Sequence, residues 1–234
     1  MSTFSYKGTE LESLAEARNY YRLIRRRFAP HLGSRVVEVG AGIGTFSRFL
    51  LDAPGVRELV AIEPAANNFP VLRDRFSGDR RVTLMHGELG AFAPTLRADS
   101  LVAVNVLEHV ENDVEFLRDA RQVLGERGAL LIFVPALQSI YGTLDRAFDH
   151  YRRYNRPQLQ ARLRDAGFAS VQTRYVNMPG IVAWYLAGRV MRRTTIGRGS
   201  VRFYDRFVIP AVWAIEELAA PPIGQSLLAV ARTR

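Results

Sequence analysis

Residues 36–44 read Val-Val-Glu-Val-Gly-Ala-Gly-Ile-Gly. No other stretch restricts the fold as much. Val36, Val37 and Val39 predict a short buried strand, Gly40, Gly42 and Gly44 a tight turn, and Thr45–Leu51 a helix. A strand feeding a glycine turn feeding a helix is the cradle of nucleotide-binding α/β folds. Glycine lets the backbone approach a ligand, and the helix start offers N–H groups.

The rest of the chain continues the pattern. Strands are expected at Arg35–Val39, Glu58–Ile62, Arg81–Met85, Ser100–Val104, Ala129–Val134, Ala169–Val176 and Ser226–Ala231. Helices are expected at Leu11–Phe28, Thr45–Leu51, Ala65–Phe76 and Asn112–Leu124, with another opening at Pro157 and ending at Gly167. Strand and helix in alternation predict a parallel sheet with right-handed crossovers. Between the last two strands, Ile181–Met191 and Phe207–Ala219 are apolar helical stretches carrying Trp184, Tyr185 and Trp213. The expected organisation is one domain: a helical cover over residues 1–33, a core over 34–176 and 223–234, and a lid insertion over 177–222.

The glycine spacing is E-x-G-x-G-x-G, and Thr45 stands where a dinucleotide fingerprint has its third glycine. This resembles motif I of the class I S-adenosylmethionine (SAM) methyltransferases. Three later segments extend the resemblance. Glu63 ends the second strand, followed by Pro64; Asn105-Val-Leu-Glu-His109 follows the fourth; His150-Tyr-Arg-Arg-Tyr154 resembles a box in a subgroup of these enzymes. The resemblance implies a Rossmann-like sheet of seven mostly parallel strands, helices on both faces and an antiparallel last strand. It implies SAM as methyl donor and S-adenosylhomocysteine as product.

Site roles follow from the same resemblance. Glu38, Gly40, Gly42 and Gly44 would surround the amino-acid tail, and Glu63 would accept the ribose hydroxyls. Glu88 would accept the adenine amino group, with Leu89 on the ring. Asn105, Glu108 and His109 would line the cofactor near its sulfonium, and Tyr20 would touch the carboxylate tail. His150 and Tyr151 are candidates for acid–base work on the acceptor. His109 is either a general base or a loop residue that orders backbone. Arg152, Arg153, Tyr154 and Trp184 would bind the acceptor, the arginines through a carboxylate or phosphate; the alternative is a structural knot. His86, Glu88 and His109 show no recognised ligand spacing, so no metal is expected.

Charge narrows the acceptor. Residues 140–206 hold 13 Arg against four acids, and the remainder balances at 19 basic and 19 acidic residues. Such a concentrated field favours an anionic partner. With the lid aromatics, it suggests a small amphipathic acceptor with an anionic group, or peripheral contact with a membrane surface or an acidic carrier protein. No nucleic-acid module is present in the sequence. The chain has no cysteine, which fits a cytoplasmic protein. Two other classes compete: a dinucleotide-dependent oxidoreductase, and a non-catalytic SAM-fold docking protein.

Overall fold

The computed structural model describes residues 4–8 and 10–234. Seven strands form one sheet: β1 (Arg35–Val39), β2 (Glu58–Glu63), β3 (Val82–His86), β4 (Ala98–Val104), β5 (Leu124–Pro135), β6 (Ser170–Val176) and β7 (Ser226–Arg232). Their order is β3-β2-β1-β4-β5-β7-β6. The first five pair in parallel, and β7 runs antiparallel to both β5 and β6. The order reverses at β1, between β2 and β4. In open α/β sheets the carboxyl ends of the strands at such a reversal bound the ligand crevice.

Alternation along the strands divides the core into two layers. On β4, Leu101 and Ala103 enter one apolar cluster and Val102 the other; on β5, Leu130, Ile132 and Val134 oppose Leu131 and Phe133. Period-two geometry sends successive side chains to opposite faces, and helices on both faces bury both sets. Each fully buried aliphatic or aromatic side chain contributes about 1.5–3 kcal/mol.

Eleven helices flank the sheet among the described residues: α1 (Glu10–Leu14), α2 (Arg18–Phe28), α3 (Thr45–Leu51), α4 (Phe69–Phe76), α5 (Leu89–Phe92), α6 (Asp113–Val123), α7 (Thr143–Ala147), α8 (Arg156–Asp165), α9 (Met178–Tyr185), α10 (Arg198–Phe203) and α11 (Ile209–Leu218). Leu186–Val190 continues α9 as a π-helix, and Tyr204–Val208 joins α10 to α11 in the same way. The sequence expectation departs from this at several places, among them the unexpected short helices α5 and α7 and a β5 that begins at Leu124 instead of Ala129. Leu11–Phe28 is broken at Ala17, where the Asp205 carboxylate accepts from Asn19 N and Tyr20 N at 3.0 and 2.8 Å and so caps α2 from across the fold. The helix expected from Ala65 starts at Phe69, with Pro70 in its first turn, where proline's missing N–H costs nothing. α10 carried no sequence signal, because glycine and arginine dominate its start.

The N-terminal segment Phe4–Gly8 lies along the loop after β2. Ala66 N donates to Phe4 O at 2.8 Å, Tyr6 N donates to Asn67 Oδ1 at 2.9 Å, and Asn67 Nδ2 returns to Tyr6 O at 3.0 Å. Lys7 within it is exposed.

Candidate functional site

The glycine turn after β1 needs residues without a β-carbon. Gly40, Gly42 and Gly44 have φ of 68°, 56° and 78°, where other residues are strained. A β-carbon on Gly40 would lie 2.6 Å from Val106 Cγ2, and one on Gly44 2.6 Å from Phe76. The turn is anchored beneath by Gly40 N and Ala41 N, which donate to Ile62 O on β2.

Above this turn opens a cavity of about 320 Å³. Gly40–Ile43, Glu38 and Asn105 border it at the strand ends. Leu11, Leu14 and Tyr20 close it on the N-terminal side, and Trp184, Ile196 and Tyr204 on the side of the helical insertion. Glu108, His109, Phe148 and His150 line the same space. The structure therefore brings Tyr20, Glu38, Gly40, Gly42, Asn105, Glu108, His109, His150 and Trp184 to one chamber. Gly44 shapes the turn behind it.

Several expected site residues stand elsewhere. The Glu63 carboxylate is buried and accepts from Gly42 N at 2.7 Å and Ala65 N at 2.9 Å. It braces the glycine turn and does not line the cavity, and neither does Pro64. Glu88 is exposed ahead of α5, and Leu89 is core. Tyr151 is 55% exposed beside the Arg152 guanidinium, outside the chamber.

Arg152, Arg153 and Tyr154 do not line this cavity either; Arg152 and Arg153 border a separate pocket with Glu111, Gln138 and Gln158. Arg152 donates to Glu111 O at 2.8 Å and pairs with Asp113 at 3.0 Å. Tyr154 is buried, and its hydroxyl donates to Asp113 and lies within bonding distance of Leu107 O. Arg153 is buried and donates to Ala136 O, Gln225 O and Asp145 Oδ1, at 2.6, 3.0 and 2.8 Å. These bonds tie the ends of β5 and β7 to α7. Three of the five guanidinium N–H groups of this buried arginine are thereby engaged inside the fold.

Asp145 is the residue that sequence reasoning missed. It is buried on α7 and accepts from Arg153, from Trp184 Nε1 at 3.0 Å and from Gly142 N at 2.9 Å; its Oδ1 lies 3.1 Å from His150 Nδ1. Burial raises its pKa. The His150 hydrogen bond, the Arg153 charge and the Trp184 and Gly142 N–H groups outweigh that and hold the carboxyl at about 2. An acid five residues before a histidine is a weak signal in sequence, and only the fold of α7 brings the two together.

The chamber is electrostatically tense. Burial pushes the Glu38 carboxyl up to about 8, against one hydrogen bond from Ser47 Oγ at 2.5 Å. Burial also pushes Glu108 up to about 7, in spite of His150 and Arg153. Burial and the neighbouring His150 depress His109 to about 3, so its imidazole is neutral at pH 7. The rings of His109 and His150 meet edge to face at 4.8 Å. Buried, perturbed titratable groups converging on one cavity mark a functional site.

Known proteins share this architecture. A family model described as "Methyltransferase domain" matches residues 13–173. Two curated Mycobacterium tuberculosis proteins, each named "Probable S-adenosylmethionine-dependent methyltransferase", are 27% identical over 155 residues, 64% of this chain and 55% of theirs. The match thus spans little more than half the length of those relatives. Among solved structures, a SAM-dependent methyltransferase of Thermotoga maritima superposes with a TM-score of 0.62 at 16% identity, over 95% of this chain and 93% of its own. Phosphoethanolamine N-methyltransferase 2 of Haemonchus contortus, solved with SAM, gives 0.61 at 18% identity over 92% and 52%. These two likenesses concern the fold.

Proposed function

Because the chain belongs to the methyltransferase-domain family, we propose that it transfers the methyl group of SAM to a small-molecule acceptor bound in the same chamber. The observation that carries this reading is the single cavity joining the glycine turn to the His109–His150 cluster. Cofactor and acceptor would meet inside it without crossing solvent. SAM brings its own leaving group, so the protein's task is to hold a nucleophile in line with the methyl–sulfur bond. Such positioning can contribute about 7–11 kcal/mol.

The residues divide the work by position. Gly40, Gly42 and Glu38 would receive the amino-acid tail, whose ammonium would favour the ionised form of the buried Glu38 carboxyl. Tyr20 and Asn105 would face the tail. Phe148 and Trp184 would pack on the acceptor body. An anionic handle on the acceptor fits Arg193, the arginine among the described residues lining the chamber, in place of Arg152 and Arg153.

Calorimetric titration with S-adenosylhomocysteine, with NADH in parallel, tests the cofactor. Micromolar binding of the first and none of the second is expected. Tight binding of NADH alone would replace this reading with an oxidoreductase.

An amphipathic acceptor also suits the outer surface of the insertion. Val182, Val190, Phe203, Phe207, Ile215 and Leu218 are each at least 58% exposed, and Arg189, Arg192 and Arg206 are exposed among them. Apolar residues interleaved with arginine favour an anionic lipid surface. Co-sedimentation with vesicles containing phosphatidylserine is expected at low salt, weakening as salt rises, with none on neutral vesicles. Equal partition to both would leave the arginines without this role.

A further inference from the structure

We propose that Glu108, His109 and His150 form a site for a first-row divalent cation at the wall of the chamber. One potential donor atom from each lies within 4.8 Å of the other two. Around one ion with bonds of about 2.0–2.2 Å, donors sit roughly 3–4 Å apart. Side-chain adjustment of about an ångström would therefore close the set.

Three observations make this a built site. Glu108 is fully buried, and neither carboxylate oxygen has a hydrogen-bond partner outside its own residue. A carboxylate is not left bare in an interior unless it is neutralised or takes a cation. His109 Nδ1 is likewise buried without a partner. His150 Nδ1 lies against Asp145 Oδ1, and Asp145 is itself fixed by Arg153, which leaves the other ring nitrogen of His150 as the one available to a ligand. An imidazole that donates one N–H to a carboxylate and offers its second nitrogen is the usual arrangement of a metal-bound histidine.

The fold explains why these three meet. Glu108 and His109 sit on the single turn Leu107–His109 after β4, and His150 follows α7 after β5. Both lead out of neighbouring strands at their carboxyl ends. His86 and Glu88, the other residues considered from sequence, take no part: His86 stacks on Phe69 at 4.6 Å and Glu88 is exposed. Two imidazoles and one carboxylate suit zinc, manganese, iron(II) or cobalt better than magnesium or calcium. Three protein donors leave coordination positions open to the chamber for water or an oxygen of the acceptor.

The chain has four histidines, so the test needs no variant to begin. Zinc chloride is titrated into chelator-stripped, 15N-labelled full chain without cofactor, and the imidazole signals are followed, assigned with His31→Gln and His86→Gln. One equivalent is expected to shift His109 and His150 and leave His31 and His86 in place. Glu108→Gln should weaken zinc binding at least tenfold yet melt no lower than the unsubstituted chain in EDTA. Absence of stoichiometric binding, shifts confined to His31 or His86, or full affinity in Glu108→Gln would each overturn the site. Cofactor binding and methyl transfer do not enter these readouts, so the proposal stands or falls apart from them.

Discussion

Arg153→Met is expected to cost about 3–5 kcal/mol, the range for breaking one side of a buried ion pair, and to lower the melting temperature by roughly 10 °C. Three mechanisms add. Asp145 would keep a buried charge whose principal cationic partner is gone. The carbonyls of Ala136 and Gln225 would lose the donors that join β5 to β7. The Trp184 ring would lose the guanidinium stacked 5.0 Å from its centroid. Arg152→Met should cost much less, because Arg162 also holds Asp113. Thermal and urea denaturation of both variants would decide. A methionine variant at 153 melting within a degree or two of the parent would mean that this arginine is not structural. The same comparison separates folding from binding, since an arginine serving only an acceptor would leave the melting temperature unmoved.

Stability should also fall as the solution becomes more alkaline, and Glu38→Gln should abolish much of that fall. The Glu38 carboxyl titrates near 4.5 when exposed and at about 8 in the fold. Between those values the folded protein holds a proton that the unfolded chain releases. The contribution is complete below pH 4.5 and is lost as pH rises through 8. The difference between the two titration points corresponds to on the order of 5 kcal/mol over the window. Glutamine keeps an acceptor for Ser47 without the charge, so the variant should match the parent near pH 5 and exceed it at pH 8. Melting curves at intervals across that range test this. Parallel curves for the two proteins would show that Glu38 is not the group responsible. Glu63, also raised by burial, is common to both and cancels.

The two regions that carry this chemistry differ in how plainly the sequence announced them. The β1 turn was legible because its constraint is local: a positive φ at three alternate positions admits little but glycine. The seven strands were legible for the same reason, since apolar runs bounded by polar or glycine residues need no distant partner to be recognised. The segment 150–154 was legible only as a set of residue types. Its backbone sends His150 to the chamber, leaves Tyr151 on the surface and buries Arg153 and Tyr154, and no composition of five residues reveals that division. Asp145 and Asp205 were illegible because each acts on partners brought by the fold. Asp205 caps a helix that begins 187 residues earlier in the chain, and Ala15 and Ala17 offer no local hint of the break.

The segment Phe4–Gly8 has a consequence for anyone wishing to watch this protein work. Lys7 is the single lysine in a chain whose other side-chain cations, histidine apart, are all arginine. It rides, exposed, on the strand of backbone clasped by Asn67, and its neighbour Tyr6 reaches the chamber and packs against the His109 ring at 5.6 Å. Amine-directed chemistry has one side-chain target here, and there is no thiol to compete for the reagent. A fluorophore on Lys7 therefore sits on the cover of the chamber without mutagenesis, where its emission would register the arrival of a ligand beneath it.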